Sequence, residues 1–217
     1  MSSSEMTTFL LVRHGESEAN VAAVFGSQQD TPLSALGRAQ TAALAAAMLK
    51  TTIHAVYSSD LSRARDTVSP MAVSRAISLV ELAEFRERAV GVLTGKSFDV
   101  IREEHPTWWK GLTTRDPDFA PPGGESLRAL QARVAGALEP LHSEHAGKSV
   151  LIGAHGGTIN AMVRHLLGLH DMRTQFVINI ANASVTRIDV TTREGARHAR
   201  LAYCNRVAFS DESFQVF

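Results

Sequence analysis

Phe9-Leu10-Leu11-Val12-Arg13-His14-Gly15 is an apolar run that stops on a cation, an imidazole and a glycine. The unbroken apolar stretch reads as a buried strand. Open α/β sheets take their ligands beyond the C-terminal ends of their strands. Arg13 and His14 therefore stand where a ligand is expected. A second run, Val150-Leu151-Ile152, leads into His155-Gly156-Gly157. Two histidines delivered by two strand ends predict one shared site.

Around these two runs the chain alternates strand and helix. A strand over 7–13 is followed by a polar loop with turn signals at Gly26 and Pro32. Thr31 or Ser34 caps an alanine-rich helix reaching about Lys50. Ile53 to Tyr57 reads as a short strand. Ser58-Ser59-Asp60 offers N-cap chemistry to a helix that starts at Leu61 and runs to Pro70 or just beyond. Ile77 to Val80 is a third short strand. Residues 84–123, rich in glycine and proline, form an excursion over the sheet edge, with a short helix near Phe98–His105. Gly123-Gly124-Glu125-Ser126 opens a long helix carrying Leu127, Leu130, Val134, Leu138 and Leu141 at helical spacing, with Pro140 as a kink or stop. A strand at 149–154 precedes an amphipathic helix built on Ile159, Met162, Val163, Leu166 and Leu167. Phe176–Ile180, Ser184–Val190 and His198–Tyr203 read as closing antiparallel edge strands. The order βαβαβ, then αβα, then strands predicts an α/β fold: a three-layer α/β/α sandwich on a mostly parallel sheet. One domain over 1–217, with an excursion at about 84–123, is expected.

Of the 217 residues 44% are hydrophobic and 20% charged, which suits a globular chain with a real core. Lys+Arg and Asp+Glu both number 22, so no net positive charge draws nucleic acid or an anionic membrane, and an anion site must be local. Cys204 is the only cysteine, which excludes an internal disulfide and reads as a small buried hydrophobe. Met1 to Thr8 lacks an apolar signal core, and no apolar run reaches the roughly 18 residues that span a bilayer. A cytoplasmic location is expected.

Arg13, His14, Arg63 and His155 converge if the strands pack in this way. With Asp60 as N-cap, Arg63 falls in a first helical turn, at the positive end of the helix dipole. Forked guanidinium donors there suit a phosphate dianion. Neighbouring arginines favour neutral His14, whose free lone pair makes it a nucleophile towards phosphorus.

Leu11-Val12-Arg13-His14-Gly15-Glu16-Ser17 resembles the signature of the histidine phosphatase superfamily, phosphoglycerate mutase-like branch. Asn20, Asp30-Thr31-Pro32-Leu33-Ser34, Ser58-Ser59-Asp60-Leu61-Ser62-Arg63-Ala64, Arg86-Glu87-Arg88-Ala89-Val90-Gly91, Gly123-Gly124-Glu125-Ser126 and His155-Gly156-Gly157 extend the likeness, in order, along nearly the whole chain. The set is closest to the cofactor-independent broad-specificity and alpha-ribazole-type phosphatases. The resemblance implies that His14 accepts the phosphoryl group. It implies that Arg13, Arg63 and His155 hold the phosphoryl oxygens and that Glu87 protonates the leaving alcohol. Asn20 and Gly156 are implied to contact the bound group. No cofactor and no metal are implied, the arginines supplying the positive charge.

Other readings stand beside these. Glu84 competes with Glu87 as the acid. Asn20 also reads as a cap, and Arg65 as a surface cation. His142 and His145 read as a solvated helix end. Val24, Phe25, Val90, Trp108 and Trp109 offer apolar substrate walls, although the tryptophans also read as packing for the excursion. The loop Phe25-Gly26-Ser27-Gln28-Gln29-Asp30 departs from the family pattern. The activity expected is metal-independent hydrolysis of a small soluble phosphate ester. The alternatives are phosphoglycerate mutase activity, which the similar Glu87–Gly95 stretch and Lys96 favour, and a non-catalytic phospholigand module. Apolar edge strands leave a homodimer open.

Overall fold

Every residue from Thr7 to Val12 is buried in the computed structural model, which describes residues 5–172 and 177–208. They belong to β1 (Met6–Arg13), the fourth strand of a six-stranded sheet. The others are β2 (Ala55–Ser58), β3 (Leu79–Glu81), β4 (Ser149–Ala154), β5 (Ser184–Arg193) and β6 (Ala196–Val207), in the order β3-β2-β4-β1-β5-β6. β1, β2, β3 and β4 pair in parallel, whereas β5 and β6 join antiparallel at one side. The three-layer architecture and mostly parallel sheet expected from the sequence are present.

Alternation along β1 explains its unbroken apolar character. Phe9 and Leu11 pack on one face with Leu130, Val134 and Leu138 of α6 (Leu127–Glu144) and Ile159, Met162 and Val163 of α7 (Gly156–Leu166). Leu10 and Val12 pack on the other with Leu44 of α2 (Ala35–Ala47) and Val68 and Met71 of α3 (Ser62–Val73). Both faces are thus covered from Phe9 to Val12, and none of these four side chains meets water.

Several local expectations are corrected. Asp60 does not cap α3: its carboxylate is held by Arg86, at 2.7 Å through Nε, and the cap residue is Leu61. Asp30 supplies the cap instead, accepting from the Ser62 backbone N–H at 2.8 Å and its hydroxyl at 2.7 Å. Pro140 lies inside α6 without ending it, whereas α3 runs just beyond Pro70 as expected. The excursion crosses the carboxyl ends of the strands rather than the lateral edge of the sheet. It carries α4 (Phe98–Glu104) and an unforeseen α5 (Pro106–Thr113). Phe176 lies outside the described residues, and 177–180 is not a strand. That stretch hangs on Asn160, which bonds both the N–H and the C=O of Ile178, at 2.8 and 2.9 Å. Among the described residues no helix is long and apolar enough to cross a membrane.

Candidate active site

β1 and β4 are neighbours, in register Arg13↔Ala154. The next residue of each strand is a histidine. His14 N–H bonds Ala154 O at 3.0 Å, and the His14 and His155 rings lie 5.1 Å apart. Both are buried, at 5% and 0% exposure. They line a cavity of about 330 Å³ together with Arg13, Arg63 and Glu87. The excursion roofs it with Val90, Phe98 and Leu112, while Val24 and Phe25 complete the apolar wall.

The nucleophile candidate is held in one tautomer. Its Nδ1 lies 2.7 Å from Gly15 O. A carbonyl only accepts, so Nδ1 carries the proton and Nε2 keeps its lone pair. Burial first, then the Arg13 and Arg63 charges, holds the His14 pKa well below the usual imidazole value. The same causes, with the His14 and Arg133 charges, hold His155 neutral. Burial thus outranks the charge repulsion that the sequence suggested.

Two glycines make the turn after β1 fit. A Cβ at Gly37 would stand 1.9 Å from Glu16 O, and one at Gly15 would stand 2.6 Å from Gly37 O. The first turn of α2 is therefore pressed directly on the loop bearing His14. Ser34 caps α2 through Gly37 N–H at 3.0 Å and donates to the Glu16 carboxylate at 2.6 Å.

Arg63, 3% exposed, projects from the first turn of α3 and donates to Gln29 O at 2.7 Å and Ser27 O at 2.8 Å. It anchors the loop that departs from the family pattern. Arg13 donates one N–H to Ile180 O. Burial lowers the pKa of both guanidinium groups, and Glu87 acts against it. Arg13 Nε and His155 Nδ1 are buried without a partner among the described residues. Unsatisfied polar atoms at that depth are costly unless a ligand meets them; an oxyanion would satisfy the Arg13 donor, and His155 as well in the tautomer that carries the proton on Nδ1.

Glu87 reaches the cavity and Glu84 does not; Glu84 is exposed and lies against the opposite side of α6. Glu87 accepts from Arg88 N–H at 2.8 Å and from Gly157 N–H, in the first turn of α7, at 3.0 Å. The cavity wall carries Gly157 rather than Gly156, which packs beside Arg13. Asn20 lines the cavity, yet its side-chain oxygen is occupied as a cap, accepting from the Ser17 N–H and hydroxyl at 3.0 Å each.

Other sequence candidates lie elsewhere. Trp108 and Trp109 pack with Leu93 and Ile101 inside the excursion, Trp108 stacking on His105 at 4.2 Å, and neither lines the cavity. His145 is buried against the Tyr57 hydroxyl at 2.9 Å rather than solvated. Cys204 is half-buried, near Thr186 Oγ1. Arg65 is an exposed partner of Asp66. The sequence reading missed Ser59, whose hydroxyl lies 2.9 Å from His155 Nε2. It also missed Arg133, described below. Among the described residues no group of three His, Cys, Asp or Glu could hold a metal ion.

A buried, neutral imidazole with a free Nε2 among guanidinium groups is the arrangement that phosphoryl transfer through a histidine requires. The chain belongs to the histidine phosphatase superfamily, branch 1, whose model matches residues 9–201. It is 32% identical over 184 residues to "Probable phosphoglycerate mutase GpmB" of Escherichia coli O1:K1, covering 85% of each chain. The native structure of mycobacterial glucosyl-3-phosphoglycerate phosphatase is similar at 28% identity and a TM-score of 0.81, over 92% of this chain and 99% of that one. An Escherichia coli K-12 protein assigned as an alpha-ribazole-5'-P phosphatase shares the fold at 21% identity and a TM-score of 0.79, over 94% and 99%.

Proposed function

We propose that the protein is a metal-independent phosphomonoesterase acting through a phosphohistidine on His14. The observation that carries this reading is the Nδ1–Gly15 O contact of 2.7 Å, which frees Nε2 inside a cavity lined by Arg13 and Arg63. Nε2 attacks phosphorus in line with the ester bond. The P–O bond breaks, and the Glu87 carboxyl gives its proton to the departing oxygen. Water then enters, Glu87 takes its proton, the P–N bond breaks, and inorganic phosphate leaves with Glu87 protonated again. Arg13, Arg63 and His155 donate to the phosphoryl oxygens throughout.

Hydrolysis is favoured over mutase action by the fate of the remaining cation in the cavity wall. A mutase must fix a second anion on its substrate. Arg88 is committed to Glu125 O at 2.9 Å and Phe119 O at 2.8 Å, and Lys96 does not line the cavity. The substrate is therefore a small monoester whose alcohol meets an apolar wall. Rapid-quench labelling with a phosphate ester tests the reading. An acid-labile, base-stable phosphoryl group on His14 is expected, with turnover surviving EDTA. A phosphoryl group on another side chain, or strict metal dependence, overturns it. Rapid isomerisation of 3-phosphoglycerate in the presence of 2,3-bisphosphoglycerate would restore the mutase reading.

A further inference from the structure

We infer that the Arg133–Glu125 ion pair is a positioning clamp for Glu87 and sets how far the enzyme depends on its leaving group. The inference rests on the reading of Glu87 as the acid. Arg133 rises from α6 and gathers the backbone of the turn that presents Glu87. It donates to Glu84 O at 2.5 Å, to Arg86 O at 3.1 Å and to Glu87 O at 3.4 Å. Its remaining donors meet Glu125 Oε1 at 2.5 Å and Oε2 at 3.2 Å. Glu125 in turn accepts from the Ala89 N–H at 3.0 Å, and its own N–H donates to Ala89 O at 2.8 Å. Carbonyls on one side of Glu87 and an amide on the other are thus tied to one half-buried pair. Only a planar five-donor fork serves that many acceptors at once, so lysine is a poor replacement. Neither residue lines the cavity; the pair reaches the leaving group through Glu87, while the Arg133 charge also bears on His155 and the Glu125 carbonyl holds Arg88.

The test measures kcat/KM for a series of phosphate esters from p-nitrophenyl to simple alkyl, for wild type, Arg133→Gln, Arg133→Lys and Glu87→Gln. A misplaced acid steepens the dependence on leaving-group pKa. Arg133→Gln should lose about 10- to 100-fold on alkyl esters and less than about threefold on p-nitrophenyl phosphate, with lysine recovering part of the loss. In the Glu87→Gln background Arg133→Gln should add nothing further on alkyl esters. A uniform loss across the series, or additive losses in the double variant, overturns the clamp. A shallow dependence in Glu87→Gln itself overturns the acid instead, so the two failures are distinguishable. Should Arg133→Gln fail to fold, Glu125→Gln is read on the same series. It keeps an oxygen for the Ala89 N–H but weakens the hold on Arg133, and a slope equal to wild type refutes the clamp.

Discussion

Two helix glycines give opposite predictions for the same chemical change. Gly136 lies in the middle of α6, is exposed, and a Cβ there meets nothing within 4 Å. Gly37 is buried in the first turn of α2, and its Cβ would stand 1.9 Å from Glu16 O and 2.9 Å from Glu16 C. Helix propensity favours alanine over glycine by about 1 kcal/mol in a helix interior. At Gly136 nothing opposes that gain, so Gly136→Ala stabilises by about 0.5–1 kcal/mol, or roughly 1–4 °C in Tm for a chain of this size. At Gly37 the carbonyl must retreat by about 1.5 Å to reach ordinary contact at 3.4 Å. The neighbour is backbone, held by its bond to Ser34 N–H at 2.9 Å, and cannot swing away as a side chain would. Overpacking of this kind costs about 1–3 kcal/mol and exceeds the propensity gain. Gly37→Ala should therefore lower stability by about 1–2 kcal/mol and, because Gly15 and Glu16 carry His14, cut phosphatase turnover at least tenfold. Urea unfolding at neutral pH and p-nitrophenyl phosphate hydrolysis measure the two effects. Equal stability changes at the two glycines, or full activity in Gly37→Ala, would refute the steric argument.

His14→Ala should abolish turnover of every ester, and residual hydrolysis above about 1% would assign the nucleophile elsewhere. Gly157→Ala places a Cβ 2.4 Å from Glu87 Oε1, so alkyl esters should lose about 10²-fold while p-nitrophenyl phosphate and Tm hold; equal losses on both substrates count against Glu87 as the acid. His14 and His155 have folded pKa values held well below 6.5 by burial and nearby cations. The unfolded chain therefore takes up their protons first as the pH falls below 6.5, and each withdraws up to about 1.4 kcal/mol of stability per pH unit until its folded pKa is reached. Urea titrations between pH 7 and pH 5 should show a shallower decline for His155→Asn than for wild type, and parallel declines would contradict the neutral assignment.

The strand ends were legible because their evidence is local. An unbroken apolar run fixed β1, and the residues that follow it in β1 and β4 placed both histidines. Arg63 was legible as a first-turn residue even though its cap was misassigned. Asp60 has the right side chain for capping, but Arg86 takes it, and Asp30 reaches across 32 residues to do the capping. No local pattern encodes that exchange. The stretch 177–180 has the composition of a strand, yet β5 already occupies the edge of β1, so its backbone bonds to Asn160 and Arg13 instead. Trp108 and Trp109 belong to a small core that exists only once α4 and α5 have folded against each other. Arg133 went unread, because the backbone carbonyls it gathers lie 46 to 49 residues away.

The two histidines stand at the same level on adjacent strands, one residue past the last pair of the central ladder, while the roof over them is inserted between β3 and α6. The two imidazoles and most of the apolar roof are thereby carried by separate stretches of polypeptide. A change in the 84–123 stretch outside the Glu87 turn alters the roof and leaves in place the strand ends that carry both imidazoles. Under the proposed reading, rebuilding that roof is the route by which the preferred ester can be changed while His14 and its guanidinium partners are kept.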